Sequence, residues 1–349
     1  MSATTLLQPY GWSDRVAALL SDDAYPARVV RVDRDRVLVV GPDGSPAFAA
    51  ADPLPAIGDW VGLDPVEIDS MRWRVRTVAP RWSTIRRTDP RSEDRSIDVG
   101  QVLAANVDVV CSVTPLDRPL SPNRIERELA LAWDAGATPV VVLTKADRHG
   151  DVEMATADLE HRLVGVDVIA TAALEGRGVG EVAELLRPNR TVMLLGASGA
   201  GKSTLANALL GADVMETGGV RVTDSRGRHT TTSRHLLPVP GGGVLLDTPG
   251  VRSLGLHGAG AGVAMVFADL EELATACKFS DCTHRTEPGC AVLAEIESGG
   301  LDAGRLQSWR KLQREIAAAE RRIDPSARAQ WHAQVKAFQR SIRRHPSRP

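Results

Sequence analysis

The sequence lacks a long apolar run, since no stretch reaches the roughly 18 residues that a membrane-spanning helix needs. Its first residues, MSATTLLQPYGWSDR, also lack the basic start and the apolar block of a secretory signal. We therefore expect a cytoplasmic protein with no membrane partner. Hydrophobic residues make up 43% of the chain and charged residues 25%, which is typical of a globular protein.

Net positive charge is absent as well. The formal net charge is −2, so the whole chain has no field that attracts nucleic acid, and RNA contact would need local patches such as the arginine-rich segment from Arg310 onward. Lysine is scarce, because only five of the 42 basic residues are lysines. Two of the five, Lys145 and Lys202, lie in loops that follow apolar runs, which indicates that an ammonium group is needed there.

Cysteine is rare, and three of the four cysteines fall within fourteen residues. Cys277, Cys282, His284 and Cys290 have the spacing C-x4-C-x-H-x5-C. Three thiolates and an imidazole suit a closed tetrahedral site, so we predict one structural zinc ion; free cysteines in a small domain are the alternative. Cys111 stands alone in an apolar run and is predicted to be a small core residue.

The chain is predicted to contain three folded parts after a loosely ordered leader with one short helical stretch. Four short runs, ARVVRVD, RVLVVG, GDWVGLD and WRVRTVAP, predict an OB-like β-barrel, with another small β-domain as the alternative. Alternating strands and helices then predict a parallel sheet covered by helices. The predicted boundaries are 1–25 for the leader, 26–95 for the barrel, 100–258 for the α/β domain and 262–349 for a helical zinc-binding domain with a basic tail.

A phosphate-binding loop is predicted where GASGAGKST follows the apolar strand TVMLL and precedes the helix TLANALLG. Its glycines let backbone N–H groups turn toward phosphates, and the helix dipole favours anions there. We expect Lys202 to act in catalysis by reaching the β- and γ-phosphates, and Ser203 to bind Mg²⁺. The predicted contacts are Gly196, Ala197, Ser198, Gly199, Ala200, Gly201, Lys202, Ser203 and Thr204.

A second phosphate-end motif is DTPG, which ends the apolar run VLL. Asp247 is predicted to hold the Mg²⁺ hydration shell, and Gly250 to donate its N–H to the γ-phosphate. The preceding segment RVTDSRGRHTTTSR carries three consecutive threonines, of which we favour Thr231 as the further Mg²⁺ ligand over Thr230 and Thr232. An ordinary surface loop is the alternative for this segment.

The base is predicted to be guanine. TKAD follows the strand PVVVL, and Asp147 there could accept hydrogen bonds from guanine N1 and the exocyclic amine, which adenine does not offer together. Thr144 and Lys145 belong to the same loop, with Lys145 packing over the base. A second strand, VDVIA, leads into TAA, whose backbone could bind the guanine carbonyl; these residues are Thr171, Ala172 and Ala173.

The base motifs precede the phosphate motifs along this chain. A circularly permuted sheet keeps the same spatial contacts, since old ends are joined and new ends opened elsewhere. The predicted fold is therefore an OB-like β-barrel, a circularly permuted α/β P-loop GTPase core and a helical zinc-binding domain.

This order of motifs, with RGRHTTTS, DTPGVRSLGL and the Cys/His cluster, resembles the RsgA family, also called YjeQ or YloQ, over about residues 25 to 325. The resemblance implies a GTPase that acts in late maturation of the small ribosomal subunit, is stimulated by it and contacts its rRNA. We expect a monomer that binds GTP or GDP with Mg²⁺. Thr144 departs from the family's usual asparagine, but its hydroxyl can still brace the phosphate loop.

Hydrolysis is expected to be slow without an activator. Many GTPases place a glutamine after the glycine of the DTPG-type motif, whereas Val251 here cannot orient water. His229 is the predicted residue that positions water, with a solvated loop histidine as the alternative. The resemblance implies that the small ribosomal subunit is the activator.

An RNA-facing patch is a further expectation for the barrel, with a basic helix near the C-terminus as a second candidate. The candidates are Trp60, Trp73, Trp82, Arg72, Arg74, Arg81, Arg86 and Arg87. The alternative is that the tryptophans are core and the arginines solvated. Two rival functions are a P-loop ATPase in which TKAD has no role, and an RNA-binding module with vestigial hydrolysis.

Overall fold

The computed structural model describes residues 3–21, 23–68, 71–87, 101–213, 235–247 and 260–323, with Ala329 and Ala333. The chain divides into two compact units, Met1–Arg86 with Val102–Arg252, and Arg87–Gln101 with Ser253–Pro349. The first holds a closed β-barrel and a six-stranded sheet, and the second holds helices beside a Cys/His cluster. The predicted fold class is confirmed.

The barrel closes in the order β1-β2-β3-β5-β4, and β3 pairs with β5 in parallel while the other pairs are antiparallel. Small and branched side chains fill it, including Val29, Val37 and Val61. In β5, arginines alternate with half-buried residues, as expected for a strand with one face inward. Its strands are β1 Tyr25–Val32, β2 Arg36–Val40, β3 Pro46–Ala50, β4 Trp60–Ile68 and β5 Met71–Val78.

In the part that the structure describes, the N-terminal leader contains the short helical stretch that the sequence predicted and is more ordered than expected. It forms a 3₁₀ helix, Ala3–Tyr10, and one turn of helix, α1 (Asp14–Ala17). Leu7 and Val16 are fully buried. Their burial was not evident from the sequence because neither lies in a regular hydrophobic repeat.

The six-stranded sheet has the order β10-β9-β8-β11-β13-β12, and all neighbours are parallel except β12 and β13. The antiparallel edge strand β12 was not predicted. Its strands are β8 Val109–Pro115, β9 Thr138–Thr144, β10 Val168–Ala170, β11 Thr191–Leu195, β12 His235–Pro238 and β13 Val244–Asp247. A separate two-stranded sheet pairs β6 (Thr84–Arg87) with β7 (Gln101–Ala105).

Helices cover both faces of this sheet. Cys111 of β8 packs in one cluster with Val182 of α4 and Leu205 of α5. The next residue, Ser112, donates a 2.6 Å hydrogen bond to buried Glu128 of α2, and successive strand residues point to opposite faces. α2 and α5 therefore lie on opposite sides. The helices are α2 Pro122–Asp134, α3 Val152–Arg162, α4 Val179–Glu184 and α5 Lys202–Leu210.

The second unit is helical in the part that the structure describes. Its elements are α6 Gly260–Val266, α7 Ala268–Thr275, α8 Ala291–Ser298 and α9 Ala303–Ile323. Arg305 of α9 is buried and forms two hydrogen bonds, of 2.6 and 2.7 Å, with Asp269 of α7. Among the described residues, no helix has the length and hydrophobicity that crossing a bilayer requires.

A buried polar seam joins the barrel to the sheet in the first unit. Arg28 of β1 is 1% exposed, and its guanidinium donates to Tyr10 O at 2.5 Å and to Thr191 Oγ1 at 2.8 Å. Burial lowers the pKa of Arg28 to about 10, and the nearby carboxylates of Asp108 and Asp59 partly oppose this shift. The arginine therefore stays charged at neutral pH inside the protein.

The seam also uses residues that the sequence assigned to an RNA surface. Arg81 forms a bidentate pair with fully buried Asp59, at 2.7 and 2.6 Å. Trp82 Nε1 donates to Asp108 at 3.1 Å, and Trp60 is fully buried beside Arg28. Fully buried Trp60 is therefore a core residue, as the alternative held, whereas Trp82 and Arg81 remain partly exposed and their RNA-facing role stays a prediction.

We predict that Arg28→Ala lowers the free energy of unfolding by about 3 kcal/mol, because the carbonyl of Tyr10 and the buried hydroxyl of Thr191 lose their charged donor. Arg74→Ala, which removes an exposed arginine of β5, is the matched control and should change it by under about 0.5 kcal/mol. Urea unfolding followed by circular dichroism measures both. Equal stability of the two variants would contradict a stabilising role for the seam.

Candidate nucleotide-binding site and metal centre

The sequence Gly196–Ser203 forms the turn between the central strand β11 and helix α5, which begins at Lys202. Lys202 Nζ donates to the carbonyl oxygens of Gly196 at 2.9 Å and Ala197 at 2.7 Å, so its side chain folds back over the loop. The first amides of a helix have no intrahelical acceptors, and its dipole favours anions at this end. The loop therefore presents an ammonium group and backbone donors in one place.

Two glycines of this loop are required by close approach. A Cβ on Gly196 would lie 2.3 Å from the carbonyl oxygen of Val113 in β8. Gly201 has φ +94°, and a Cβ there would meet Thr144 Oγ1 at 3.2 Å. The loop is thus packed against the ends of both β8 and β9.

The TKAD loop contacts the phosphate-binding loop directly. Buried Thr144, the last residue of β9, donates its hydroxyl to the carbonyl oxygen of Ala200 at 2.5 Å. Lys145 follows in the left-handed region with φ 59°, which costs energy for a residue with a Cβ and is common at functional sites. A 3₁₀ helix, Ala146–Arg148, then places Asp147 at the exposed rim.

The TAA loop contacts the TKAD loop in turn. The N–H of Ala146 donates to the carbonyl oxygen of Thr171 at 3.0 Å, and the N–H of Thr171 donates to Leu143 O at 2.6 Å. Thr171 and Ala172 are buried, while Ala173 begins a 3₁₀ helix. Three loops that are distant in sequence therefore meet at one edge of the sheet.

This edge lies where the strand order reverses. From β8 the chain builds outward through β9 and β10, and then β11 returns to the other side of β8. The helices after β8 and β11 lie on opposite faces, which opens a crevice at the carboxyl ends of the strands. Such switch points are the usual ligand sites of open α/β sheets.

The loop between β8 and α2 also reaches this crevice, and the sequence analysis missed it. Asp117 Oδ2 lies 2.6 Å from Lys145 Nζ, and Arg118 Nη2 lies 3.4 Å from the carbonyl oxygen of Gly199. The available signal was their position directly after a central buried strand, whose carboxyl end must lie beside TKAD and the phosphate-binding loop.

Of the other residues predicted to act at the phosphate end of the nucleotide, the structure describes only one. Asp247 ends β13, which pairs in parallel with β11, so its backbone lies at the same edge. His229, Thr231 and Gly250 lie outside the described residues.

A Cys/His cluster in the second unit could hold a metal ion. The ligand atoms of Cys277, Cys282, His284 and Cys290 all lie within 4.8 Å of one another. Three of these separations are 3.6, 3.9 and 3.4 Å. A tetrahedral ion with bonds of about 2.3 Å to sulfur and about 2.1 Å to nitrogen needs ligand separations of about 3.5–3.8 Å. The cluster therefore fits a tetrahedral ion.

Neighbouring groups hold this cluster in shape. Cys290 precedes α8, and the N–H of Leu293 donates to its sulfur at 3.5 Å. Arg310 of α9 donates to the carbonyl oxygen of His284. Glu287 accepts from Thr283 and from the N–H groups of residues 285 and 286, and the Thr283 hydroxyl together with these amides keeps the pKa of Glu287 well below its usual range.

The remaining cysteine is a core residue. Cys111 in β8 is fully buried, and burial raises the pKa of its thiol to about 12. Such a thiol is uncharged at neutral pH and unreactive. The prediction of a small core residue is confirmed.

Part of the predicted RNA-facing patch remains on the barrel surface. Arg72 and Arg74 are exposed on β5, and between them Trp73 is half-buried, with its ring 5.1 Å from that of Tyr25. This leaves two arginines and an aromatic pair available to solvent.

Comparison with known proteins gives a consistent result. A model of the family described as RsgA GTPase matches residues 78–257. A Streptomyces coelicolor protein named small ribosomal subunit biogenesis GTPase RsgA is 47% identical, covering 95% of this chain and 92% of that protein. A protein of the same name from Syntrophotalea carbinolica is 37% identical, covering 92% of each chain.

Two solved structures share the fold. YjeQ from Thermotoga maritima has a TM-score of 0.60 at 23% identity, covering 84% of this chain and 98% of that one. YloQ, described as a circularly permuted GTPase, has a TM-score of 0.60 at 20% identity, covering 84% of this chain and 96% of that one.

We predict that Thr144→Val makes the amides of Gly196–Gly201 exchange with solvent about tenfold faster, because the carbonyl of Ala200 loses its buried donor. Thr144→Ser keeps the hydroxyl and should exchange like the wild type. Hydrogen–deuterium exchange with mass spectrometry measures the difference. Unchanged exchange in Thr144→Val would show that the hydrogen bond does not hold the loop.

Proposed function

The chain belongs to the RsgA GTPase family, and on that basis we propose that it hydrolyses GTP in late maturation of the small ribosomal subunit. Its relatives carry the name small ribosomal subunit biogenesis GTPase. The proposal applies that role to this chain, with hydrolysis stimulated by the subunit itself.

One contact carries the proposal: the hydrogen bond from Thr144 to Ala200 O. It joins a loop with guanine-reading chemistry to a loop with phosphate-binding chemistry, and the two lie 56 residues apart in sequence. The contact brings TKAD, and with it Asp147, beside the phosphate-binding loop. This supports a guanine nucleotide over the rival ATPase, in which TKAD has no role.

The proposed roles follow the position of each group. Asp147 accepts hydrogen bonds from guanine, Lys145 covers the base, and the backbone of Thr171–Ala173 meets the guanine carbonyl. The loop Gly196–Thr204 surrounds the phosphates, with Lys202 stabilising charge that develops during transfer.

Magnesium enters with the nucleotide in this proposal. Ser203 and Asp247 would hold it, with Thr231 as the further ligand, because hydroxyl and carboxylate oxygens suit this ion. Gly250 and His229 would act at the γ-phosphate and the attacking water. These last three residues remain predictions from the sequence alone.

Zinc is the ion that we propose for the Cys/His cluster. Three sulfur ligands and one imidazole, closely spaced, are characteristic of structural zinc. Among the described residues no fifth Cys, His, Asp or Glu joins the group, so the ion's role here is to stabilise the local fold.

The surface proposed to face rRNA is the exposed strand β5. Arg72 and Arg74 offer charges for phosphates, and the Trp73–Tyr25 pair offers rings for stacking. The proposed location is the cytoplasm, because the protein is proposed to act on ribosomal subunits. GTP turnover in the presence of small subunits would distinguish this function from that of an RNA-binding module with vestigial hydrolysis.

We predict that small subunits raise the rate of GTP turnover and that excess ATP does not compete. Asp147→Asn should weaken GTP binding about a hundredfold, because two hydrogen bonds to a charged acceptor are lost, and should favour xanthosine triphosphate. Asp158→Asn, at an exposed position of α3, is the matched control. The assay is phosphate release titrated with small subunits, large subunits or free RNA.

Each outcome of that assay has a clear meaning. Stimulation by small subunits alone supports the proposal. The proposal would be overturned if small subunits did not change the rate of GTP turnover, if ATP competed with GTP, or if Asp147→Asn kept the wild-type base preference.

We predict that the wild-type chain binds one zinc ion. The Cys282→Ser variant should lose this ion, because a serine hydroxyl is a poor zinc ligand. Cys111→Ala, which alters the cysteine outside the cluster, should retain one ion. Elemental analysis of the purified proteins gives the metal content, and melting with and without chelator gives the loss of stability. Full zinc content in Cys282→Ser would refute the assignment.

A further inference from the structure

The loop between β8 and α2, residues 116–121, contacts both nucleotide motifs. The N–H of Leu116 donates to the carbonyl oxygen of Thr144 at 2.8 Å, which fixes the loop to the start of TKAD. Arg118 Nη2 lies 3.4 Å from Gly199 O in the phosphate-binding loop. The loop therefore lies where the base and phosphate ends of the crevice meet.

Asp117 in this loop is surrounded by cations. Its Oδ2 lies 2.6 Å from Lys145 Nζ and 4.0 Å from Arg148 Nη1, and its Oδ1 lies 3.3 Å from Arg118 Nε. The side chains of Asp117 and Lys145 are 23% and 25% exposed, so water only partly screens their attraction. The hydrogen bond from Lys145 lowers the pKa of Asp117, and the carboxylate stays ionised at neutral pH.

Lys145 needs such a partner to hold one position. A lysine side chain has four methylene groups and a strongly hydrated ammonium, and fixing it costs up to about 2 kcal/mol of rotamer entropy. The left-handed backbone of Lys145 sets where the stem starts, and Asp117 sets where the ammonium ends. Between these two points the stem has a defined course along the crevice.

We propose that Asp117 is a positioning residue that anchors the ammonium of Lys145 so that the aliphatic stem covers one face of guanine. This inference rests on the proposed function, since it concerns the same crevice. Asp117 acts at the end of the crevice that binds the base, and GTP and GDP have the same base. Asp117 therefore controls affinity for both nucleotides and does not take part in phosphoryl transfer.

The test uses Asp117→Asn, which keeps the size of the side chain and removes its charge. Dissociation of the fluorescent nucleotides mant-GDP and mant-GMPPNP, followed by stopped flow, should be about fivefold faster for both, since an ionic hydrogen bond is weakened. Melting of the nucleotide-free chain should be unchanged. Asp23→Asn removes a 2.8 Å ion pair with Arg76 on the barrel and is the matched control.

A double-mutant cycle with Lys145→Met shows whether Asp117 acts through the lysine. The effect of Asp117→Asn should vanish in the Lys145→Met background, because no ammonium remains to be anchored. An additive effect, a lower melting temperature, or faster release of only one nucleotide would overturn the inference.

The same measurements separate this inference from the proposed function. If the wild-type chain fails to bind mant-GDP, the proposed function fails. If the wild type binds and Asp117→Asn releases both nucleotides at the wild-type rate, Asp117 is a surface ion pair and only the inference fails.

Discussion

The nucleotide crevice depends on a single buried contact, in which the hydroxyl of Thr144 meets the carbonyl oxygen of Ala200. A loop rich in glycine has many conformations available, and folding it into a cradle for phosphates costs entropy. The neighbouring strand end supplies the missing constraint, because β9 is held rigidly in the sheet. Thr144 thus connects base reading to phosphate binding by one bond, with the N–H of Leu116 fastened to its carbonyl.

The barrel is held to the sheet by different physical chemistry. Arg28 and Asp59 are fully buried charged groups, and they meet the partly exposed Arg81 and Asp108; burying a charge costs free energy. They are tolerated because each has a hydrogen-bond partner, such as Thr191 Oγ1 for Arg28, Arg81 for Asp59 and Trp82 Nε1 for Asp108. Such a seam favours one orientation between barrel and sheet, since sliding would leave these polar groups without partners. A proposed RNA-facing strand on the barrel would then stand in a fixed relation to the nucleotide crevice.

Permutation changes the order of the motifs without changing where they meet. β8 and β11 are neighbours in the sheet although 75 residues of chain, from Leu116 to Arg190, separate them. What a nucleotide requires is that strand ends converge, and parallel strands converge at their carboxyl edge in whatever order they are connected.

The sequence by itself determined the motifs and the fold class, because spacing and hydrophobic pattern are local properties. The glycines and Lys202 after an apolar strand, the TKAD loop and the Cys/His spacing could be read without coordinates. Only the tertiary structure decided that Trp60 belongs to the core, that Arg81 pairs with Asp59, and that Asp117 meets Lys145. The members of these two ion pairs lie 22 and 28 residues apart in the sequence, and no local pattern shows which distant side chains will meet.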